Sequence, residues 1–370
     1  ATRVNKDGLI EEVAVNVPRL DYSDGGCPSL LLEPTRSNLV TYSEDFSNAA
    51  WSKFRTTITP NTIISPSGYL VADSFIEDST NNSHVLRFNY TPNTSNYIFS
   101  VFAKSLSGNR RIILSSSFET SFAIFNIENG TVVSSTDIDS SKIEDYGNGW
   151  YKCTVEKANN SISGNFDFRL DNGTTETYQG DGTSGVYIYG ASLEQGSYAT
   201  SYIPTSGSAV TRSADSSSQT VPSGIIGQTE GTVLFDYTPY DVSSSTSEDT
   251  IPLAISNNGS ISDSIYLNDY NGNLDLFIRV GGTVQAQIQF SSLADNQRFK
   301  LGIGYAVNNL VFYVNGVEIG IDTPLSLPTC NQIKLNGFTS NVHINRINVN
   351  DVKLYNTRLS NDELQALTTI

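Results

Sequence analysis

Asn-Gly pairs set between alternating apolar runs constrain this 370-residue chain more than any other feature. Both residues of a two-residue hairpin turn need positive φ, which asparagine and glycine tolerate, so such pairs join antiparallel strands. Three of them lie between apolar runs: Asn129-Gly130, Asn271-Gly272 and Asn315-Gly316. The runs alternate with period two, as in "YIFSVFAKS" at 97–105, and no long helical pattern separates them. The pattern predicts an all-β chain of antiparallel β-sandwiches.

Length and one polar segment predict two domains in tandem. A chain of 370 residues exceeds what one hydrophobic core usually serves. Residues 205–224 are dense in Ser, Gly and Thr, which is typical of a linker. We therefore expect a connector at 1–27, a first sandwich at 28–204, the linker at 205–224 and a second sandwich at 225–370. Ser360 and Glu363 have capping-box spacing, which predicts one short C-terminal helix.

The charge excludes some partners. A net charge of -16 repels phosphate backbones and anionic lipids, so we expect neither nucleic acid nor membrane as a partner. No apolar run approaches the roughly 20 residues that cross a bilayer. The chain contains no methionine, and we expect it to be a piece of a longer protein.

The sequence offers little for catalysis. Cys27, Cys153 and Cys330 share no metal-binding spacing and are expected to be buried or half-buried thiols, with a Cys27–Cys153 bridge left open. The two histidines fit no Ser-His-Asp or HExxH arrangement. Adjacent acids such as Glu77-Asp78 would point to opposite faces of a strand, which favours turn solvation over glycoside hydrolysis. We therefore predict no catalytic residues, no enzymatic activity and no cofactor.

Sugar binding needs an exposed aromatic face with amides and carboxylates at its rim. Three short segments place a tyrosine beside such groups, each in a loop, at a hairpin tip or at a strand end. The candidate carbohydrate-binding residues are Tyr178, Gln179, Asp181, Tyr240, Asp269, Tyr270 and Asn271. The alternative is that each tyrosine only anchors its loop. Trp150, in an alternating strand, is expected in the core.

The first predicted domain resembles the jelly-roll carbohydrate-binding modules of the family 4/9 type. The matching residues are Asn38-Leu39, Glu44-Asp45-Phe46 and Trp51, with "YIFSVFAKS" as the middle strand and "GVYIYGASLE" as the closing strand. The resemblance implies that Leu30 to Leu32 lead into this sandwich and that Phe46 and Trp51 pack behind its first strand.

The same resemblance leaves a structural calcium open. Glu44 or Asp45 would be ligands, but Gly190-Ala191 stands where the family has acids in its closing strand. The second predicted domain is similar to laminin-G-like, concanavalin-A-type sandwiches through "GTVLFDYTP", "NNLVFYVNGVEIG" and "INRINVNDVKLYNTRLSNDELQAL". There "NDYNGN" offers oxygen ligands for calcium. The metal therefore stays unknown at this point.

Several long sequence segments point to a narrower class of protein than the predicted fold does. "PSLLLEPTRSNLVTYSEDFSNAAWSK", "YGNGWYKCTV" and "GVYIYGASLEQGSYATSYIPTSGSAVTRSAD" resemble a block found in bacteriophage tail-fibre, head-fibre and other minor virion proteins. The resemblance implies a non-enzymatic virion structural protein, extracellular on the particle, that contacts host surface glycans and other virion proteins. It also implies a homo-oligomer, a trimer in the case of a fibre. The alternative is a set of carbohydrate-binding modules from a secreted polysaccharide-degrading enzyme.

Overall fold

The computed structural model describes residues 1–91, 95–116, 121–158, 164–240, 242, 250–324, 326–337 and 345–370. The chain divides into two compact units. Unit 1 contains residues 1–17 and 36–212, and unit 2 contains residues 18–35 and 213–370. Both are built almost entirely from antiparallel strands, so the predicted all-β class is confirmed.

The strands in the first half of the chain are short at the start and longer from residue 56 onwards. In chain order they are β1 (Thr2–Val4), β2 (Ile10–Glu12), β3 (Leu20–Asp21), β4 (Ser29–Leu32), β5 (Arg36–Asn38), β6 (Trp51–Phe54), β7 (Thr56–Ile64), β8 (Leu70–Glu77), β9 (Asn81–Ser83), β10 (Val85–Tyr90), β11 (Tyr97–Ser107), β12 (Arg111–Ser116), β13 (Ser121–Asn126), β14 (Thr131–Thr136), β15 (Ser140–Asp145) and β16 (Trp150–Lys157).

The second half continues the pattern and ends in a helix. Its elements are β17 (Gly164–Asp171), β18 (Thr177–Gln179), β19 (Gly185–Gln195), β20 (Val210–Arg212), β21 (Ser217–Thr220), β22 (Glu230–Pro239), β23 (Leu253–Asn257), β24 (Ser260–Tyr270), β25 (Asn273–Val280), β26 (Thr283–Phe290), β27 (Phe299–Ala306), β28 (Asn309–Val314), β29 (Val317–Asp322), β30 (Gln332–Leu335), β31 (Ile347–Tyr355) and helix α1 (Asn361–Thr368).

Unit 1 is a sandwich of two sheets. In its described part, one sheet has the order β14-β13-β12-β17-β10-β6 and the other the order β15-β16-β11-β19-β8-β7. Successive residues of a strand point to opposite faces, and the inward set is aromatic. Phe99 of β11 and Phe168 of β17 stack across the sandwich with ring centroids 4.7 Å apart. Phe46 and Trp51 are buried in the same core, as expected.

Unit 2 is a second sandwich. In its described part, one sheet has the order β21-β30-β23-β24-β25-β26 and the other the order β29-β28-β27-β22-β31-β4-β3. Along β22, Val233, Phe235 and Tyr237 belong to the core between the sheets. The intervening residues of β22, Leu234 and Asp236 among them, therefore point to the outer face of the seven-stranded sheet.

Helix α1 packs on that outer face. Leu364 is fully buried, and a Cβ added at Gly302 of β27 would lie 2.8 Å from Thr368 Cγ2, so a larger residue there would displace the Thr368 side chain. The predicted capping box is confirmed: Ser360 accepts from the Glu363 backbone, and the Glu363 carboxylate accepts from the Ser360 backbone. Among the residues that the structure describes, no helix has the length and apolarity to cross a bilayer.

Two of the three predicted hairpins have the expected turn. Asn271 and Asn315 have φ of 51° and 50°, and the glycine after each also has positive φ. The Asn129 hairpin forms differently, because its turn extends over residues 127–130 and only Gly130 has positive φ. All three pairs nonetheless connect antiparallel neighbours, β13 with β14, β24 with β25 and β28 with β29.

The predicted boundary at residue 28 is corrected by the structure. Residues 18–35 belong to unit 2, where Leu30 and Leu32 of β4 pair with Val349 and Ile347 of β31. Arg19 and Glu33 form a buried ion pair of 2.7 Å in the same unit. Leu30 to Leu32 therefore do not lead into the first sandwich, because their partner strand lies near the other end of the sequence.

The chain passes from unit 1 to unit 2 between residues 212 and 213, inside the predicted linker at 205–224, but this segment contains strands. Residues 210–212 form β20, which pairs with β5 in unit 1, and residues 217–220 form β21, which pairs with β30 in unit 2. Strand pairing uses backbone groups, so an exposed edge strand needs no apolar side chains. The polar composition that indicated a linker is the composition of two short edge strands.

Candidate functional site

The outer face of the seven-stranded sheet of unit 2 contains a cleft of about 720 Å³, called here the Tyr240 cleft. Its floor is formed by outward-pointing side chains of three neighbouring strands, β22, β27 and β31. The loop between β3 and β4 and the end of α1 complete the walls. The polar lining residues are Asp24, Cys27, Asp236, Thr238, Tyr240, Asn296, Arg298, Lys300, Asn350, Asp351 and Lys353.

An ion pair organises the floor of the Tyr240 cleft. Arg298 Nε donates to Asp236 Oδ1 at 2.7 Å and Arg298 Nη2 donates to Asp236 Oδ2 at 2.6 Å. Asn350 Nδ2 donates to the same Oδ1 at 3.1 Å. The hydrogen bonds that Arg298 donates to Asp236 raise the pKa of Arg298. The Arg298 side chain stays 52% exposed, so its remaining N–H groups are accessible to a ligand.

The other charged groups balance in sign. Lys353 Nζ lies 2.6 Å from Asp351 Oδ2, and Lys300 Nζ donates to the Thr369 carbonyl at 3.0 Å. The charged lining residues are equal in number by sign: Asp24, Asp236, Asp351, Arg298, Lys300 and Lys353. In a chain of net charge -16 this cleft is a neutral surface. It therefore suits a polar, uncharged ligand better than an ionic one.

Tyr240 lies just beyond the end of β22. Its backbone N–H donates to the Arg346 carbonyl at 3.0 Å, and the Arg346 guanidinium carbon lies 4.2 Å from the centroid of its ring. These contacts fix the orientation of a half-buried ring. Of the sequence-predicted residues, the structure places Tyr240 in the cleft lining, beside amides and carboxylates.

The second predicted segment lies at the β24–β25 hairpin, outside the cleft lining. Tyr270 is 42% exposed and Asn271 forms the turn. Asp269 is buried, and its backbone pairs with Thr250. The prediction that the Asp269 carboxylate stands at an exposed rim is therefore wrong, while roles for Tyr270 and Asn271 in sugar binding stay predictions.

The third predicted segment lies in unit 1, and there Tyr178 is buried. Its hydroxyl donates to Glu77 Oε2 at 2.6 Å, and the Arg110 guanidinium carbon lies 5.1 Å from its ring centroid. Burial, together with the bond to Glu77, raises the pKa of Tyr178 well above its ordinary value. The prediction that Tyr178 offers a stacking face to a sugar is wrong, and its alternative as a loop anchor describes its contacts.

The neighbours of Tyr178 also have structural partners. The Gln179 amide donates to the Ser79 carbonyl. Asp181 accepts from the Ser184 hydroxyl at 2.6 Å and from the Thr183 backbone at 2.7 Å, and these bonds lower its pKa. Both side chains are exposed, so contact with a sugar stays a prediction for them.

Sequence reasoning missed a buried ion pair of unit 1. Glu77 is fully buried and accepts two 2.6 Å hydrogen bonds from Arg110. Burial alone would raise the pKa of Glu77, but the bonds from Arg110 and Tyr178 outweigh it and the pKa is lowered. The adjacent pair Glu77-Asp78 therefore contains one buried carboxylate and one exposed turn carboxylate. Alternation along β8 was the signal that could have separated them.

Sequence reasoning also missed most of the Tyr240 cleft. Asp236 comes from β22, Arg298 immediately precedes β27 and Asn350 comes from β31, so the three are far apart in sequence. The available signal was the position of Asp236 between Phe235 and Tyr237, since a polar residue between two core residues of a strand faces outward.

The candidate calcium ligands have other partners. Glu44 Oε1 accepts from the hydroxyls of Tyr189 at 2.9 Å and Tyr202 at 3.0 Å. Asp45 Oδ1 accepts from the Ser47 hydroxyl at 2.6 Å, as in a turn. In the described ranges, no group of three or more His, Cys, Asp or Glu side chains is placed to hold a metal ion.

The three thiols are unpaired with one another. Cys153 and Cys330 are buried, and burial raises the pKa of Cys330 to about 12 and that of Cys153 further. Cys27 is exposed, which corrects the expectation of a buried or half-buried thiol. It lies in the wall of the Tyr240 cleft.

Comparison with known proteins gives distant structural likenesses. No protein-family model and no curated protein sequence matches the chain. The botulinum neurotoxin serotype D binding domain is 15% identical, with a TM-score of 0.35 over 41% of this chain and 39% of that domain. The Ruminococcus gnavus sialidase CBM40 bound to α2,3-sialyllactose is 16% identical, with a TM-score of 0.32 over 38% of this chain and 84% of the module.

A third similar structure is the botulinum neurotoxin type G receptor-binding domain. It is 16% identical, with a TM-score of 0.31 over 37% of each chain. The chain thus spans about two fifths of the length of the toxin domains that it matches. A TM-score below 0.5 does not establish a common fold, so we infer function below from this chain's own residues.

Proposed function

We propose that the chain is a non-enzymatic glycan-binding protein and that the Tyr240 cleft of unit 2 holds the saccharide. The observation that carries the proposal is the combination of a fixed aromatic side chain with amides, carboxylates and guanidinium N–H groups in one neutral cleft. Saccharides present an apolar C–H surface and a rim of hydroxyls, and these two features need those two kinds of side chain.

The hydrogen-bonding groups of the cleft suit vicinal hydroxyls. Asp236 is held by Arg298 and Asn350, so its geometry is set before a ligand arrives. A preorganised polar group loses less conformational entropy on binding. Asn296 also lines the cleft, and its side chain makes no hydrogen bond to a described residue, which leaves both amide groups for a ligand.

Glycan arrays with the full chain and three tyrosine variants test the cleft. We expect Tyr240→Ala to weaken binding about tenfold, because the variant loses an aromatic contact worth about 1.4 kcal/mol. Tyr69→Ala is the matched control, since Tyr69 is 71% exposed in unit 1 and should leave binding unchanged. Comparing Tyr270→Ala with Tyr240→Ala shows which of these two tyrosines contacts the glycan.

The possible results distinguish the sites. Loss of binding in Tyr270→Ala but not in Tyr240→Ala would move the site to the β24–β25 hairpin. No binding to any glycan by the unmodified chain would overturn the proposal. Because Tyr240 is half-buried, Lys353→Ala serves as a second cleft variant at a side chain that is 54% exposed.

We further propose that this glycan-binding chain is a virion protein of a bacteriophage, displayed as a fibre or decoration that contacts the host surface. The sequences of residues 28–53 and 185–215 support this proposal, since these long segments resemble segments of minor virion proteins. In that setting the chain assembles with copies of itself and with other virion proteins.

Mass spectrometry of purified phage particles tests this setting. We expect peptides of the chain in stoichiometric amounts with known structural proteins of the particle. Their absence from the particle would contradict the proposal. Recovery of the chain fused to a catalytic domain would instead favour the secreted-enzyme alternative.

A further inference from the structure

Helix α1 borders a second concavity besides the Tyr240 cleft. This helix-start pocket has a volume of about 450 Å³ and lies beside Ser360 and Asn361, at the beginning of α1. Its other walls come from the β27–β28 turn and from the end of β29, which include Asn309 and Ile321. Leu367, near the end of the same helix, lines the Tyr240 cleft. One short helix therefore separates two concave polar surfaces of unit 2.

Arg358 organises the helix-start pocket. Its Nη2 group donates to Asn361 Oδ1 at 2.8 Å and to Asn309 Oδ1 at 3.2 Å, and its Nη1 group donates to the Leu359 carbonyl at 2.5 Å. These bonds hold the amide oxygens of both asparagines toward the guanidinium. The amide NH₂ of Asn309 consequently points away from Arg358 and makes no hydrogen bond to a described residue.

The hydrogen-bond partners of the Arg358 guanidinium are neutral oxygens. Burial lowers the pKa of Arg358, which agrees with a guanidinium that forms no ion pair within the described part of the chain. A cation at a helix start would ordinarily suit an anion, but the Glu318 carboxylate already acts on Arg358 by charge. Here, however, the Glu363 carboxylate already accepts the Ser360 backbone N–H, and Asp322 lines the pocket.

Charge therefore favours a neutral ligand. An anionic group would approach Asp322 as well as Arg358, whereas a hydroxyl can donate to Asp322 and accept from the Asn309 amide. Ile321 is 71% exposed at the pocket wall and offers an apolar surface to C–H groups. The pocket thus pairs an aliphatic surface with amide and carboxylate groups, the same chemistry as the Tyr240 cleft without the aromatic ring.

We infer that the helix-start pocket is a second saccharide subsite, and that the two concavities hold separate parts of one extended neutral glycan. The inference rests on the proposed function of the Tyr240 cleft. An eight-residue helix is about 12 Å long at 1.5 Å per residue, so a single sugar cannot reach both ends of α1. The natural ligand is then a polysaccharide chain and not a terminal monosaccharide.

Calorimetry with the full chain tests the inference. The probes are the methyl glycosides of glucose, galactose, mannose and N-acetylglucosamine, and a linear oligosaccharide of each sugar. We expect one oligosaccharide to bind at least tenfold more tightly than its methyl glycoside. Asn309→Ala and Ile321→Asp should remove that gain and leave methyl-glycoside binding unchanged. Both residues are exposed, so neither variant threatens folding.

Gln219→Ala, which removes an exposed amide from edge strand β21, is the matched control and should behave like the unmodified chain. If Tyr240→Ala abolishes binding while both pocket variants bind the oligosaccharide normally, the second subsite is overturned and the proposed function stands. Equal affinities for oligosaccharide and methyl glycoside likewise overturn it. Absence of binding by every probe counts against both the subsite and the proposed function.

Discussion

The Glu77 carboxylate and the Arg110 guanidinium are joined by two 2.6 Å hydrogen bonds inside unit 1, where Glu77 is inaccessible to solvent. Removing one partner of a buried pair leaves the other charge uncompensated, which costs several kcal/mol. The same carboxylate accepts from Tyr178 and from the Asp181 backbone, so it also fixes the loop that contains them.

Glu77→Gln should lower the free energy of unfolding of unit 1 by about 3 kcal/mol, because Arg110 loses its hydrogen-bonded countercharge and keeps only the more distant Asp181 carboxylate at 3.7 Å. Both tryptophans of the chain, Trp51 and Trp150, lie buried in unit 1, so tryptophan fluorescence during urea unfolding reports on this unit. The control is Glu144→Gln, which removes an exposed pair of 2.7 Å with Lys142. For Glu144→Gln we expect the free energy of unfolding to fall by at most about 0.5 kcal/mol. Equal effects of both variants would contradict the assignment.

Asp73 should make unit 1 less stable as pH rises. Burial raises its pKa to about 6, although the backbone N–H groups of Phe46 and Asn61 bond to it. Between about pH 4 and pH 6 the unfolded chain has lost this proton while the folded chain keeps it, so stability falls across that window. Above about pH 6 the folded chain also loses the proton, and stability no longer depends on the ionisation of Asp73.

The amide in Asp73→Asn cannot ionise, so this variant should lack the fall in stability that the Asp73 carboxyl causes as pH rises. The unfolding free energy of the variant minus that of the unmodified chain should therefore increase from pH 4 to pH 7. Urea midpoints followed by tryptophan fluorescence at several pH values measure it. A constant difference across the range would refute the raised pKa.

Ser360→Ala should loosen helix α1. The hydroxyl accepts from the Glu363 backbone, and loss of such a cap typically costs about 1 kcal/mol. Hydrogen exchange followed by mass spectrometry should show faster exchange over 361–368. Ser217→Ala, on edge strand β21, should leave that exchange unchanged. Because α1 borders both concavities, the variant should also weaken glycan binding slightly.

Cys27 should be the thiol that reacts in the folded chain. It is exposed, whereas Cys153 and Cys330 are buried with raised pKa values, and the thiolate is the reactive form. An aromatic disulfide reagent should titrate one thiol in native protein and three in urea. Cys27→Ser should remove the native reaction. Rapid native titration of two or more thiols would contradict the burial of Cys153 and Cys330.

Features that depend on neighbouring residues were predictable from sequence. Asn271 and Asn315 provide positive φ within two residues of turn, and Ser360 with Glu363 closes a cap over three residues. Each of these structures is decided by local backbone geometry. The alternation of core residues in the long strands is local in the same sense, which is why fold class and helix position were confirmed.

Features that depend on distant partners were not predictable. Nothing near Leu32 indicates that its strand pairs with β31, and nothing near Tyr178 indicates that Glu77 and Arg110 bury its hydroxyl. A tyrosine in a polar loop has the same local pattern whether it is exposed or buried. Of the candidate site, sequence reasoning therefore found Tyr240 but not the Asp236–Arg298 ion pair in the same cleft.

The pairing of β4 with β31 has a consequence for biosynthesis. Strand β4 can pair early with β3, but Leu32 must wait for Ile347 before its strand joins the rest of the sheet, so the seven-stranded sheet closes only when nearly all of the residues have left the ribosome. Until then an apolar triplet is exposed on the nascent chain. Truncation before residue 347 should leave β4 paired with β3 alone, and expression of either unit alone requires cutting the polypeptide in more than one place.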